Sequence, residues 1–152
     1  MDWVMASAQG FIELLEAFRP TGGTAPLGVL GRLLDEQPVG HAVSLDRLID
    51  TGQVFGFPWR ASLWIPMFQF AADDLALHAG AQRVRAELPS AWSAWTVACW
   101  FADANTRLDD RSPAATLDSD LDAVVQAALS LERSPEYAPI WLHRVGEFAT
   151  HA

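Results

Sequence analysis

The stretch that decides the fold runs from Trp95 to Leu129 and reads W-T-V-A-C-W-F-A-D-A-N-T-R-L-D-D-R-S-P-A-A-T-L-D-S-D-L-D-A-V-V-Q-A-A-L. It opens with a helix that is apolar on nearly every face, which is typical of a helix buried at the centre of a fold. We expect this helix to begin at Pro89-Ser90 and to include Trp92. A polar turn follows, and Asp118 is placed to cap a second apolar helix over residues 118–132.

The chain upstream of this stretch predicts a helix followed by a hairpin. Ser44 is a candidate N-cap, and Gly52 is suited to the left-handed position that ends a helix. Alternating aromatic residues from Phe55 to Phe57 and a return from Leu63 to Phe70 predict two strands. Proline cannot donate to a strand ladder, so Pro58 and Pro66 are expected on exposed edges.

The first forty residues predict two further helices separated by a break. Apolar residues recur at helical spacing between positions 2 and 18, and the Pro-Thr-Gly-Gly sequence after Arg19 ends that pattern. Pro26 is placed for the first turn of a helix that extends through Leu34. The sequence thus predicts a mainly α protein, a compact helical domain with one small β-hairpin. Four segments are expected: an N-terminal helical segment (1–40), a helix-hairpin unit (41–72), a helical domain (73–133) and a C-terminal tail (134–152).

Composition restricts the classes of function. The formal net charge is −9 and all the basic side chains are Arg, so long-range electrostatics repel nucleic acid and anionic membranes. No apolar run approaches the roughly 20 residues that span a membrane. The acidic N-terminal sequence M-D-W-V is unlike a secretory signal, and a single cysteine fits a reducing compartment. We therefore expect a cytoplasmic location.

The sequence offers little for catalysis or for a cofactor. Cys99 lies within the apolar helix, where a thiol is inert rather than nucleophilic. The four histidines are scattered and form no i, i+4 metal pair, and the aspartates between positions 103 and 122 lack the spacing and the glycine of a calcium loop. No phosphate-binding loop is present. We expect no enzymatic activity, no metal and no cofactor.

The layout from Trp95 to Leu129 resembles the toxin-binding domain of the MbcA/ParS/Xre antitoxin family. Asn105 and Leu108 match the family's turn, and Ser112-Pro113 matches its usual Thr-Pro. The chain has Asp109 where the family usually has Gly, and Ala104 where it often has Pro. The resemblance implies a protein that binds a cognate toxin of the RES-domain class, which degrades nicotinamide dinucleotide, and inhibits it sterically.

The resemblance and the aromatic content together give a set of candidate partner contacts. These residues belong to the turn, to the start of the next helix and to the tail: Asn105, Leu108, Arg111, Pro113 and Trp141. The tail has two interpretations, as a plug for the toxin or as a segment that packs on its own fold. Seven tryptophans and the apolar helices also predict a homodimer or a higher oligomer.

The segment from Val43 to Phe70 resembles the helix-and-wing unit of excisionase and MerR proteins. On that resemblance the candidate DNA contacts are Ser44, Arg47 and Arg60. Two acids balance the two arginines between positions 41 and 70, and two phosphate contacts give only weak, salt-sensitive binding. A DNA-binding regulator is therefore the alternative to an antitoxin, and an interaction domain without a toxin is a third interpretation.

Overall fold

The computed structural model describes residues 7–36 and 45–133. Within these ranges the chain is mainly α-helical with one small antiparallel sheet, which confirms the predicted fold class. The seven α-helices are α1 (Ala8–Phe18), α2 (Leu27–Asp35), α3 (Leu45–Asp50), α4 (Ala79–Glu87), α5 (Ala94–Ala102), α6 (Pro113–Thr116) and α7 (Leu121–Leu129). Short 3-10 helices cover Arg19–Thr21, Met67–Gln69, Thr106–Leu108 and Ser130–Arg133. None of the helices in the described ranges is long and apolar enough to cross a membrane.

The sheet has three strands, whereas the sequence predicted two. Its strands are β1 (Thr24–Pro26), β2 (Phe57–Trp59) and β3 (Ser62–Pro66), in the order β1-β3-β2 with antiparallel pairing throughout. The predicted hairpin is therefore present, but a strand from the N-terminal segment pairs with its second strand. Pro26 belongs to β1 and stands just before α2, not in its first turn, because its backbone is extended at φ −64° and ψ 147°.

Two predictions about the second hairpin strand were wrong. The strand ends at Pro66 rather than at Phe70, and a 3-10 turn over Met67–Gln69 follows it. Pro66 is buried in the central strand, not on an exposed edge, while Pro58 is exposed on the edge strand β2. Proline lacks an amide hydrogen, and Pro66 is tolerated at the last position of β3; the next amide along the chain, that of Met67, donates to the Gly23 carbonyl at 2.9 Å.

Helix α5 forms the centre of the main core, as its apolar sequence predicted. Every residue from Val97 to Ala102 is buried, and Trp100 and Phe101 are completely enclosed. The helix begins later than predicted, because the Ser93 hydroxyl accepts from the Thr96 amide at 3.2 Å and caps it. Trp92 consequently precedes the helix. The indole of Trp95 donates to the carbonyl of Pro58 at 2.7 Å and fixes the hairpin on α5.

A second, smaller core lies between α2, α3 and β3. Its members are buried aliphatic residues and one aromatic residue: Leu30, Leu34, Leu45, Leu48, Val54, Ile65 and Phe70. This cluster, together with the β1–β3 pairing, joins parts of residues 1–40 and 41–72 in one packed unit. Ser44, which was predicted to cap α3, lies outside the described residues, as do the C-terminal tail and Trp141.

Gln69 connects β3 to the segment before β2 through three hydrogen bonds. Its side chain accepts from the Phe55 amide at 2.9 Å and donates to the carbonyls of Phe55 at 2.9 Å and Pro66 at 3.0 Å. The residue is 5% exposed. A buried amide is stable only when its polar atoms are paired, so the position is matched to Gln.

Candidate partner-binding turn and adjacent cleft

Residues 105–111, which we call the Asn105 turn, close on themselves through Asn105. Its side-chain oxygen accepts from the Arg107 amide at 2.9 Å, and its carbonyl accepts from the amides of Leu108 at 2.9 Å and Asp110 at 3.0 Å. Its own amide donates to the Arg111 carbonyl at 3.0 Å. Four hydrogen bonds from one residue define the shape of the turn between α5 and α6.

Two aspartates in the Asn105 turn adopt left-handed backbone conformations. Asp109 has φ 56° and Asp110 has φ 64°. Short polar side chains tolerate this region better than branched ones, and glycine adopts it most easily. Asp109 therefore has a backbone conformation that glycine adopts more easily than any residue with a Cβ atom.

The predicted partner contacts differ in how accessible they are. Leu108 is 2% exposed and Pro113 is buried, so both hold the turn against the core and do not present a surface. Asn105 is half-buried and its polar atoms bond within the turn, whereas Arg111 is exposed. The Arg111 guanidinium group donates to the Leu108 carbonyl at 3.3 Å and to the Ser119 hydroxyl at 3.4 Å. Of these four residues, Arg111 is the one that is exposed.

Next to the turn lies an open cleft of about 380 Å³, which we call the α6 cleft. It lies between the 3-10 turn after α1, the segment that follows β3, and helix α6. Its lining is small, aromatic and weakly polar: Pro20, Thr21, Phe68, Phe70, Ala71, Ala72, His78, Ala114, Ala115, Leu117 and Asp118. The sequence did not predict this cleft, because its residues come from four separate stretches of the chain: 20–21, 68–72, 78 and 114–118.

His78 and Asp118 lie together in the lining of the α6 cleft. Nδ1 of His78 accepts from the Ala81 amide at 3.1 Å, which caps α4. Because Nδ1 accepts, Nε2 carries the proton of the neutral ring and donates to Oδ1 of Asp118 at 2.7 Å. Both ring nitrogens are engaged, so His78 connects two elements and is not free to act as a base.

The pairing of His78 corrects the predicted cap of the last helix. Asp120, not Asp118, is the N-cap of α7, and its side chain accepts from the Ala123 amide at 3.2 Å. The helix starts at Leu121 and ends at Leu129, shorter than the predicted 118–132. The sequence offered several aspartates at cap spacing; in the structure Asp120 caps α7 and Asp118 contacts His78 instead.

Cys99 is not placed for nucleophilic chemistry. It is 2% exposed within α5. Burial, with a smaller effect from the negative charge of Asp103, raises the pKa of its thiol far above the ordinary value. The thiol is therefore protonated at neutral pH. Within the described ranges, no three His, Cys, Asp or Glu side chains converge to hold a metal ion.

The candidate DNA contacts lie on two different elements. Arg47 is exposed on α3, a helix of six residues, where Asp46 and Asp50 are exposed as well. Arg60 lies at the hairpin turn with φ 56°, and its guanidinium group stands 5.4 Å from the centre of the Trp59 ring. The acids beside Arg47 weaken any attraction of this helix to phosphate. Ser44 lies outside the described residues.

Comparison of the chain with protein-family models, with curated proteins and with solved structures finds no match. The family resemblance thus depends on the residues of the Asn105 turn and its flanking helices. It stays a prediction.

Proposed function

We propose that this chain is an antitoxin-like protein without catalytic activity, which binds a toxin of the RES-domain class and inhibits it sterically. The observation that carries the proposal is the left-handed backbone at Asp109. The resembled pattern usually has Gly at this position, and Gly is the residue that adopts this conformation most easily. The chain keeps the conformation although the residue differs, as expected if the shape of the turn is what the partner recognises.

The rigidity of the Asn105 turn supports a docking role. Its backbone is closed by hydrogen bonds from Asn105, and Leu108 anchors it to the core with 2% exposure. A preorganised loop loses little conformational entropy when a partner binds, so more of the contact energy appears as affinity. Arginine is enriched among the residues that dominate interface energetics, and Arg111 is exposed on this turn.

The charge of the chain supports a protein partner over DNA. With a net charge of −9, the chain attracts a basic protein surface and repels phosphate at long range. The exposed acids on α3 add local repulsion beside Arg47. A fluorescence titration with DNA from the promoter of its own gene tests the regulator alternative. Specific binding that weakens steeply with salt would favour the regulator, and no binding at low salt would favour a protein partner.

The decisive experiment measures NAD consumption by the toxin encoded beside this gene. We expect the full chain to suppress consumption, and Arg111→Ala to raise the concentration needed by about 5- to 30-fold, equivalent to about 1–2 kcal/mol. Arg32→Ala is the matched control, because Arg32 is also an exposed arginine and lies on α2, away from the turn in the chain. Trp141→Ala tests the predicted anchor in the tail. Unchanged NAD consumption in the presence of excess full chain would remove the proposal.

A further inference from the structure

We propose that the α6 cleft is a receptor for a cationic side chain, an arginine or a lysine, that a partner protein inserts into it. The inference rests on the proposed function in one respect, that the partner is a protein. The α6 cleft would then be a second contact site beside the Asn105 turn, selective for a positive charge.

The size and lining of the cleft fit a long, flexible side chain. Its volume of about 380 Å³ is near the lower end of the roughly 300–1,000 Å³ that ligand sites occupy. Phe68 and Phe70 line it from the core side, since they are 6% and 5% exposed. Ala72 and Ala115 are exposed and small, so neither of these two side chains covers the opening. Apolar walls of this kind pack against the aliphatic stem of arginine or lysine.

The charge of the cleft selects a cation. Among the described residues that line the cleft, Asp118 is the one carboxylate and none is an arginine. His78 is neutral in the tautomer that its two hydrogen bonds require. Oδ1 of Asp118 accepts from His78, and the side chain is 92% exposed, which leaves its second oxygen accessible to a donor from outside. The hydrogen bond from His78 holds the carboxylate in place at the cleft.

The cleft is continuous with the proposed docking surface. Helix α6 lines the cleft and follows the Asn105 turn directly through Ser112. The Arg111 side chain reaches Ser119, the neighbour of Asp118 in the chain. A partner that places an acidic group near Arg111 would therefore bring an adjacent basic group to Asp118. Together, the two sites would recognise a pair of opposite charges on the partner. Such charge complementarity contributes more to specificity than to affinity.

The test is an NMR titration of the full chain with N-acetyl-arginine amide and, separately, with N-acetyl-citrulline amide. Citrulline has nearly the shape of arginine without its charge. We expect both probes to shift the amide signals of Ala72, Ala115 and Thr21. Arginine should bind about two- to fivefold more tightly at low ionic strength, the range for an ion pair at an exposed carboxylate.

Three variants test separately the charge of Asp118, the free volume of the cleft and the general effect of removing a surface charge. Asp118→Asn keeps an acceptor for His78 and should reduce the affinity for arginine to that for citrulline. Ala115→Leu, at an exposed rim position, should abolish both titrations by filling the cleft. Asp122→Asn removes an equal charge from the first turn of α7, outside the cleft lining, and should change neither.

Several results would overturn the inference. These are the absence of localised shifts, equal affinity of the unaltered chain for arginine and citrulline, or an effect of Asp122→Asn as large as that of Asp118→Asn. A toxin that is inhibited equally by the unaltered chain, Asp118→Asn and Ala115→Leu would also overturn it, while the proposed function would stand. Localised arginine binding together with a failure to inhibit the toxin would instead count against the proposed function alone.

Discussion

Asp109 adopts a backbone conformation that glycine adopts more easily. Its φ of 56° costs a residue with a Cβ atom about 1 kcal/mol or more relative to glycine, and Asp lies at the low end of that cost. Glycine in turn loses more entropy on folding. The two effects nearly cancel, so the choice of Asp is compatible with a stable turn.

We expect Asp109→Gly to change the free energy of unfolding by less than about 0.5 kcal/mol, because the lost strain and the added entropy offset each other. Asp109→Val should destabilise the chain by about 1–2 kcal/mol, since a branched side chain is strongly disfavoured at positive φ. Urea denaturation followed by tryptophan fluorescence measures both. A valine variant as stable as the original chain would show that the turn does not keep this conformation in solution.

Because of Cys99, we expect the stability of the fold to decrease at alkaline pH. Burial, with a smaller effect from the Asp103 charge, raises the pKa of its thiol in the folded state. In the unfolded chain the thiol ionises near its ordinary value of about 8.5. Above that pH the unfolded state binds fewer protons than the folded state. The contribution of the protonated thiol to the free energy of unfolding is therefore full below about pH 8.5 and is lost as the pH rises toward the folded pKa.

The free energy of unfolding should therefore fall by up to about 1.4 kcal/mol per pH unit above about pH 8.5. Denaturation curves between pH 7 and 10.5 measure this, and the background is low because the chain has no Lys and one Tyr. Cys99→Ala should be less stable at pH 7 but should lose most of the alkaline slope. Parallel pH profiles for the two proteins would contradict a buried thiol.

At the scale of the element, helix α4 has a histidine as its N-cap, where Ser, Thr, Asp or Asn is more usual. His78 caps it through Nδ1 and reaches Asp118 through Nε2. Gly80 leaves space for the imidazole ring, because a Cβ atom at this position would lie 2.9 Å from Cε1 of His78 and 3.1 Å from Cδ1 of Leu121. The start of α4 and the segment before α7 are thus connected by one side chain.

His78→Ala should destabilise the chain by about 1–2 kcal/mol, since it removes the cap and leaves the Ala81 amide without its acceptor. His78→Asn should recover about half of this, because Asn also caps helices well but is too short to reach Asp118 as the imidazole does. Thermal unfolding at pH 7 compares the two. If the variants are equally unstable, the contact with Asp118 matters and the cap does not.

At the scale of the whole molecule, the predicted self-association concerns the apolar surface that the fold leaves open. Within the described ranges the large exposed hydrophobic residues are Ile12, Val29 and Leu33, with exposures of 53%, 40% and 40%. Val29 and Leu33 lie one turn apart on α2, so they form a single apolar strip.

We predict a dimer in sedimentation equilibrium, because the strip on α2 gains by burial against a second copy. Leu33→Glu should shift the population toward the monomer by placing a charge in that contact. Arg32→Glu, next to it on the same helix and also exposed, is the control and should leave the mass unchanged. A monomeric mass for the unaltered chain at every concentration would exclude this prediction.

The sequence by itself determined the features that depend on neighbours along the chain. The apolar run from Trp95 onwards predicted the buried α5, and the helical periodicity predicted α1, α2 and α7 in the correct order. The Asn105 turn was also found from its local pattern. These features arise from contacts within a few residues, which periodicity and capping residues encode directly.

Only the tertiary structure decided the features that join distant parts of the chain. The pairing of β1 with β3, the bonds from Gln69 to Phe55, and the contact of His78 with Asp118 across 40 residues have no local signal. The burial of Leu108 and Pro113, and with it the emergence of Arg111 as the exposed residue, follows from packing as well. Such choices depend on which surfaces meet when the chain closes, and a linear pattern does not encode that geometry.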